Sequence, residues 1–418
     1  MDKISTVAVL GAGNRGRQAY GKYILEHPGD IKAAAVAEPD ESKRNLFAKE
    51  HKIEEALQFE SWEKLLEKDK LADGIIIATL DTMHLEPVLL AMEKGYKILL
   101  EKPIAPNLKD LITIYKKYKE TKSEVLVAHV LRYTSFFSKL KELLDQKLIG
   151  KIRYVDLNED IGYYHFAHSF VRGNWRNTEV AAPIILAKSC HDLDILHWLL
   201  ESKTKKITSS ASLEIFKADQ QPEGAADRCI NCKIEADCPY SARKIYLGEN
   251  TDWPTAVITT DLSYEGRFKA LREGPYGRCV WKCDNNVPEV QRVNMTQNDN
   301  TEVNFTLTAF SKEITRKIKI YGSLGEISGD FEEGIIEVSV FGKTDSLIKI
   351  KSDSGNHGGG DRGFMDQFVS LLQGKETDQR VSSLGDSIES HLMAFAAEEA
   401  RAQDLVIDFK KWSRDKLN

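Results

Sequence analysis

A chain of 418 residues is longer than one compact core ordinarily serves, so two domains are expected. Hydrophobic residues at 42% and charged residues at 29% are ordinary for a soluble globular protein. A net charge of −6 leaves no broad basic face for nucleic acid, and no run approaches the roughly 20 apolar residues that span a bilayer. Met1-Asp2-Lys3 leads straight into an apolar strand without a leader-like segment, so the expected setting is cytoplasmic.

The first 128 residues alternate strand and helix. Thr6–Leu10 reads as a strand, Arg17–Glu26 as a helix, Ile31–Ala37 as a strand and Glu41–His51 as a charged helix. Trp62–Leu66 starts another helix. Gly74–Ala78 is apolar on both faces, as a strand inside a covered parallel sheet must be. Leu85–Lys94 is a helix stopped by Gly95, Ile98–Leu100 a strand, Leu108–Lys119 a helix and Glu124–Ala128 a strand. This rhythm predicts a Rossmann-type, doubly wound α/β domain over residues 1–128.

Beyond residue 128 the pattern changes, and residues 129–418 are read as a second, substrate-binding and oligomerisation domain. A helix, Ser135–Asp145, leads to a strand, Ile152–Leu157, an aromatic and histidine-rich stretch, and a helix from about Cys190 to Leu200. Thr255–Tyr264, Glu302–Ala309, Arg316–Tyr321, Glu326–Gly329 and Ile335–Phe341 are short, β-branched and bounded by turns. They predict a large, mostly antiparallel open sheet. Helices over Gly363–Leu372 and Ser387–Arg401 close the chain. Residues 217–285 form a cysteine-rich loop, and Asn356-His357-Gly358-Gly359-Gly360 reads as a turn into a helix that could place His357 at a pocket.

Gly11-Ala12-Gly13-Asn14-Arg15-Gly16 follows the first strand and opens the first helix. In G-x-G-x-x-G the first glycine permits the tight turn, the second lets backbone approach a pyrophosphate, and the third lets helix pack on strand. Glu38 closes the second strand about 20 residues after Gly16, where a carboxylate accepts from ribose hydroxyls and repels a 2′-phosphate. NAD is therefore favoured over NADP, although Arg44 lies close by. Glu101-Lys102-Pro103 follows another strand of the same sheet, which brings a lysine to where a nicotinamide ring would reach. Together these features read as hydride-transfer chemistry.

Glu101-Lys102-Pro103, with Ala78-Thr79-Leu80-Asp81-Thr82-Met83-His84 before it, resembles the Gfo/Idh/MocA family of oxidoreductases, across essentially the whole chain. The resemblance implies a C-terminal domain with a large open sheet used for dimer or tetramer contacts, and a cis peptide before Pro103. It implies that Thr79, His84 and Glu101 join Gly11, Gly13, Asn14, Arg15, Gly16, Glu38 and Lys102 around the cofactor. Lys102 matches the family's catalytic lysine, donating a hydrogen bond to the reacting oxygen. His191 matches its second-domain histidine, whose imidazole suits taking up the hydroxyl proton. Inositol dehydrogenase-like members carry an aspartate four positions before that histidine. Here Ala187 stands there, which leaves Lys188, Asp192 and Asp194 as the nearest ionisable groups. Arg132 and Tyr133 match positions near the substrate.

Between Gly162 and Arg176 lie aromatic rings, His165, His168, Arg172, Trp175 and Arg176, a composition suited to a sugar: rings stack on its C–H face while polar groups bind hydroxyls. His165, His168, Trp175, Arg176 and Lys188 are thus expected at the substrate. Cys229-x₂-Cys232-x₅-Cys238-Pro239, with Cys279 or Cys283 as a fourth ligand, suits a closed structural zinc site; free thiols, a cluster or a disulfide are the other readings. The leading function is an NAD-dependent dehydrogenase acting on a secondary alcohol of a sugar, glycoside or cyclic polyol. One alternative is a glycosidase that oxidises C3 transiently, eliminates and rehydrates. It needs an additional base such as His165, His168, Tyr163 or Tyr164. Another is a non-catalytic NAD-sensing protein, against which the presence of both Lys102 and His191 argues.

Overall fold

The computed structural model describes residues 4–351 and 356–417. Strands β1 (Ser5–Leu10), β2 (Ile31–Ala37), β3 (Gln58–Phe59), β4 (Gly74–Ile77), β5 (Lys97–Leu100) and β6 (Val125–Val127) form a parallel sheet. Their order is β3-β2-β1-β4-β5-β6. The order reverses between β1 and β4, which opens a crevice at their carboxyl ends, where the glycine turn and Thr79 lie.

The pleat sends alternate residues to two separate apolar layers. Ala8, Leu10, Ile75, Ile77, Ile98 and Leu100 face the layer continuous with the second half of the chain. Val7, Val9, Ile76 and Leu99 face the other. That second layer is closed from far along the sequence: Phe364, Met365, Phe368, Val369 and Leu372 form one face of the helix Gly360–Leu372 and pack on it. The side chain of His357, just before this helix, falls outside the described residues.

The other strands, β7 (Ile152–Asp160), β8 (Thr204–Ser212), β9 (Val290–Gln297), β10 (Glu302–Thr308), β11 (Thr315–Gly322), β12 (Gly325–Asp330), β13 (Ile335–Val340), β14 (Ser346–Lys349) and β15 (Ile407–Asp408), form a nine-stranded sheet. Only β7 and β10 run parallel within it; every other pairing is antiparallel. Helices Cys190–Leu200 and Leu384–Gln403 bury Leu193, Leu196, Leu392, Met393 and Ala396 in the same apolar layer as Val293, Met295, Phe305 and Leu307 of the sheet. The expected fold class is therefore observed.

One predicted strand is not a strand. Thr255–Ile258 is a short helix, and Tyr264 begins the helix Tyr264–Glu273, capped by the Ser263 side chain on Gly266 N. β-branched residues favour strands only where a partner strand stands beside them. Here the segment follows Pro254 and lies in a helical module with its own small core of Cys229, Ala242, Tyr246 and Leu271. Among the described residues, no helix is long and apolar enough to cross a membrane.

Gly74 shows how tightly the late helix sits on the first sheet. A Cβ there would come 2.5 Å from Leu372 Cδ2 and 2.9 Å from Lys97 O. Gly74→Ala is expected to destabilise the protein by about 1–3 kcal/mol through overpacking. Gly29→Ala, where nothing lies within 4 Å, is the matched control. Denaturant titration of both variants checks this, and equal stabilities would refute the tight contact.

Candidate active site

The three glycines of the first turn have three different surroundings. Gly11 has φ +90°, and its Cβ would lie 2.6 Å from Ala78 O, so it makes the turn and lets β1 and β4 close together. A Cβ on Gly16 would come 1.8 Å from Gly11 O, so this position lets the helix pack onto the strand. Around Gly13 nothing lies within 4 Å, and the backbone there is open. Asn14 is exposed at the start of the helix Asn14–Gly21, which continues as Lys22–Glu26.

Glu38 closes β2 with its carboxylate turned to the turn: Oε2 accepts from Ala12 N at 2.8 Å and Oε1 from Asp40 N at 3.0 Å. Arg44 donates to the Glu38 carbonyl at 2.6 Å. Thr79 Oγ1 is buried and has no hydrogen-bond partner among the described residues. An open glycine, an orphaned buried hydroxyl and a carboxylate at the end of β2 together fit a dinucleotide laid across β1, β2 and β4.

Arg15 is committed elsewhere. Its Nε donates to Glu101 Oε1 at 2.5 Å, its Nη1 and Nη2 to Asp361 at 2.9 and 2.7 Å, and its Nη2 also to Tyr20 OH at 2.9 Å. Burial alone would raise the Glu101 carboxyl, but Arg15 and the Tyr20 hydroxyl outweigh it and hold it below the usual carboxylate range. His84 likewise serves the framework, with Nδ1 at 2.9 Å from Pro103 O and Nε2 at 3.3 Å from Thr79 O. Both side chains are bonded to protein groups around the crevice.

Lys102 leaves the end of β5 across a cis Lys102–Pro103 peptide. Its Nζ donates to Ala187 O at 2.9 Å. The lysine of the first sheet is thereby brought to the segment that leads into His191. His191 is buried and stands edge-on to His129, with ring centroids 5.7 Å apart. His129 is in turn edge-on to His391, at 5.6 Å. His391 accepts from Ile104 N at 2.9 Å through Nε2, and its Nδ1 lies 2.8 Å from Ser387 O. Sequence reasoning did not single out His129 or His391. The one signal was the helical i, i+4 spacing that brings Ser387 under His391.

The acids flanking His191 belong to arginines. Asp194 receives two hydrogen bonds from Arg132, at 2.7 and 2.6 Å, both residues being buried. Asp192 accepts from Arg316 Nε at 2.7 Å. Arg316 Nη2 also meets Glu159 at 2.5 Å, and Lys188 Nζ meets Glu159 at 3.1 Å. This is a buried cluster of two acids and two bases. Burial and the neighbouring Glu159 push the Asp192 carboxyl up, whereas Arg316 and Lys188 outweigh burial at Glu159 and bring its carboxyl down. No local pattern marked Glu159 or Arg316, because the sheet alone brings β7, β11 and the helix Cys190–Leu200 together.

The expected substrate residues divide. Lys188 lies beside the His191 segment, and His165 is close enough for the lysine charge to depress its imidazole, although burial is the larger cause. Four others are engaged by protein partners. Arg132 is held by Asp194. Tyr133 packs on Phe364 at 5.8 Å with Arg380 over its ring. His168 bonds Tyr246 OH at 2.8 Å and stacks on Tyr276 at 4.8 Å. Arg176 pairs with Asp284 at 2.7 and 3.0 Å. The reason is common to all four: each side chain meets a partner from a distant segment that satisfies its charge or buries its ring. Trp175 is 39% exposed and lies 6.4 Å from the Phe170 ring. Trp253 stands 4.8 Å from His165, so the cysteine-bearing module packs against this stretch. Among the described residues, no three His, Cys, Asp or Glu side chains form a preformed metal centre, and the geometry as it stands does not show zinc.

Gly13→Val is expected to leave the melting temperature unchanged, because its backbone is extended (φ −76°, ψ −157°) and the space is open. NAD affinity should fall by about tenfold or more as the side chain fills the approach. Gly16→Val should instead fail to fold. Calorimetric titration with NAD beside thermal melts checks both, and unaltered NAD binding by Gly13→Val would refute the cradle.

Buried histidines set the acid limit. Burial lowers His129 to about 4, and His168 and His391 to about 3. Such groups stay neutral in the folded chain while the unfolded chain protonates near pH 6.5. Stability is thus full above that value and is lost as pH falls toward 4, by about 1.4 kcal/mol per pH unit per histidine. Urea titrations at pH 7, 6 and 5 should show uptake of at least two protons on unfolding near pH 5. Stability independent of pH across that range would refute this.

A family model for the NAD-binding Rossmann fold of an oxidoreductase family, GFO_IDH_MocA, matches residues 5–129. The model for the C-terminal alpha/beta domain of the same family matches residues 141–264. The Bacillus subtilis oxidoreductase YteT is 22% identical over 328 residues, 75% of this chain and 74% of its own length. The scyllo-inositol 2-dehydrogenase (NAD(+)) of the same organism is 27% identical over 202 residues, 48% of this chain and 55% of its own. Levoglucosan dehydrogenase, solved with NADH and levoglucosan, superposes with a TM-score of 0.71 at 15% identity, over 97% of this chain and 100% of that one. Two family models across both halves of the molecule, on a fold of this architecture, establish that the chain belongs to the Gfo/Idh/MocA family of NAD-binding oxidoreductases.

Proposed function

We propose that this protein transfers hydride from a secondary alcohol of a sugar, glycoside or cyclic polyol to NAD. The observation that carries the reading is the Lys102 Nζ to Ala187 O hydrogen bond at 2.9 Å, which sets the lysine against the segment leading to His191. Relatives whose names specify inositol and levoglucosan support the substrate class. Bound NAD supplies the hydride acceptor.

In this reading Lys102, released from Ala187 O, donates a hydrogen bond to the reacting oxygen, and His191 takes its proton as the carbonyl forms. Ala187 removes the side-chain carboxylate that would orient His191 from four residues away. Asp192 and Asp194 are occupied by Arg316 and Arg132. His191 stands edge-on to the His129 ring, which is its orienting neighbour in this reading. Lys188, His165 and Trp175 remain as candidate substrate contacts, Thr79 and Gly13 as cofactor contacts. The division into residues 1–128 and 129–418, a homo-oligomer built on the open sheet and a cytoplasmic setting belong to the same proposal.

The test is incubation with NAD and a panel of free polyols and aryl glycosides, recording both reduced nicotinamide and released aglycone. Net reduced cofactor is expected without aglycone release. Lys102→Ala should lower kcat by about 10²–10⁴ while NAD affinity stays within about twofold. Aglycone release without net reduction would overturn the dehydrogenase in favour of a redox-neutral glycosidase. Silence across the panel with intact NAD binding would favour a sensor.

A further inference from the structure

The small module packed against the site holds five of the six cysteines, and four of them converge. Cys229, Cys232, Cys238 and Cys279 line one cavity of about 10 Å³ with Arg172, Glu235 and Trp281. The backbone brings them there. Arg228 and Arg278 pair across an isolated antiparallel bridge, so the cysteine after each is carried to the same spot. Cys279 N donates to Asp227 O at 2.8 Å. Cys232 N turns back onto Cys229 O at 3.2 Å, and Cys238 N onto Glu235 O at 3.2 Å. Cys283 does not line the cavity; its thiol donates to Cys279 O at 3.3 Å.

The second observation is a buried charge. Arg172 is 1% exposed. Its Nε donates to Arg278 O at 2.7 Å, its Nη2 to Tyr240 O at 2.7 Å and toward Cys229 Sγ at 3.5 Å, while Nη1 has no hydrogen-bond partner among the described residues. These acceptors are neutral. The carboxylate sharing the cavity, Glu235, is engaged by Ser241 Oγ and has Arg243 at 3.8 Å. A buried guanidinium is costly without an anion beside it, and deprotonated cysteines would supply one.

We propose that Cys229, Cys232, Cys238 and Cys279 bind one divalent zinc ion as a tetrathiolate, with Arg172 offsetting part of its negative charge. Binding breaks four S–H bonds, releases the protons to solvent and forms four Zn–S bonds of about 2.3 Å, which draws the thiols together from their open arrangement. Four protein ligands leave no open position, so the ion is structural. It would pin the module to Arg172 and so hold Trp253 against His165.

The experiment uses the reduced full-length chain, with elemental analysis before and after incubation with zinc and dialysis. A parallel sample receives cobalt(II) as a spectroscopic probe. One zinc per chain is expected, and cobalt should give the intense visible bands and thiolate charge transfer of a tetrahedral tetrathiolate. Cys232→Ser and Cys279→Ser should lose the ion, Cys283→Ser should keep full stoichiometry, and Arg172→Gln should weaken affinity by about tenfold. The wild-type cobalt spectrum decides the matter even if a serine variant fails to fold. Stoichiometry well below one, an octahedral cobalt spectrum, loss of the ion in Cys283→Ser, or iron with matching sulfide would each overturn the proposal.

Discussion

The site depends on how four residues, Glu101 to Ile104, are held where β5 ends. Glu101 is buried and accepts from Arg15 Nε, the Tyr20 hydroxyl and Lys102 N. The loop is then fastened twice more, by His84 on Pro103 O and by His391 on Ile104 N. These partners come from the glycine-turn helix, the β4 loop and a helix nearly 300 residues away. Breaking a buried charge pair of this kind costs about 3–5 kcal/mol, because the surviving partner is left uncompensated. Lys102 therefore projects from a fixed base, with its Nζ against Ala187 O. Arg15 extends the same hub to Asp361 at the start of the late helix, so the glycine turn, the lysine loop and the cover of the first sheet are set by one connected group of charges.

A second charge system is built on the helix that carries His191. The helix Cys190–Leu200 carries Asp192 and Asp194 inward, and each meets an arginine from a different element. Glu159 and Lys188 complete the cluster. In the coupled pair of acids, burial and the Glu159 charge push the Asp192 carboxyl up, while Arg316 and Lys188 bring the one on Glu159 down. Ala187 adds no carboxylate to this buried set, and His191 itself stands edge-on to the ring of His129.

Local signals were strong where a residue's role is carried out by its own backbone. Gly11, Gly13 and Gly16 were readable because the turn, the open approach and the close helix contact are each properties of a missing Cβ. The helix Ser135–Asp145 was readable because its apolar stripe and its Thr134 cap are local. β9 was not, because two of its four inward positions are Gln291 and Gln297, which hide the alternation that burial reveals. Thr255–Ile258 misled in the opposite sense, having strand-forming residues with no strand beside them. Arg132, Tyr133, His168 and Arg176 were singled out by residue type, and the sequence did not reveal the distant protein partner that each one meets.

By itself, then, the sequence determined the Rossmann domain, the glycine turn, the lysine at the end of β5 and the cysteine spacing, since periodicity, glycine stereochemistry and short-range spacing are all local. Only the tertiary structure decided that the helix Gly360–Leu372 closes the first sheet, that Lys102 reaches Ala187, and which charges are spent on one another. It also decided which of the later cysteines lines the cavity with the other three: Cys279 does and Cys283 does not. Those outcomes rest on contacts between segments tens to hundreds of residues apart. Side-chain identity says what each partner is able to do, and chain folding alone chooses the partner.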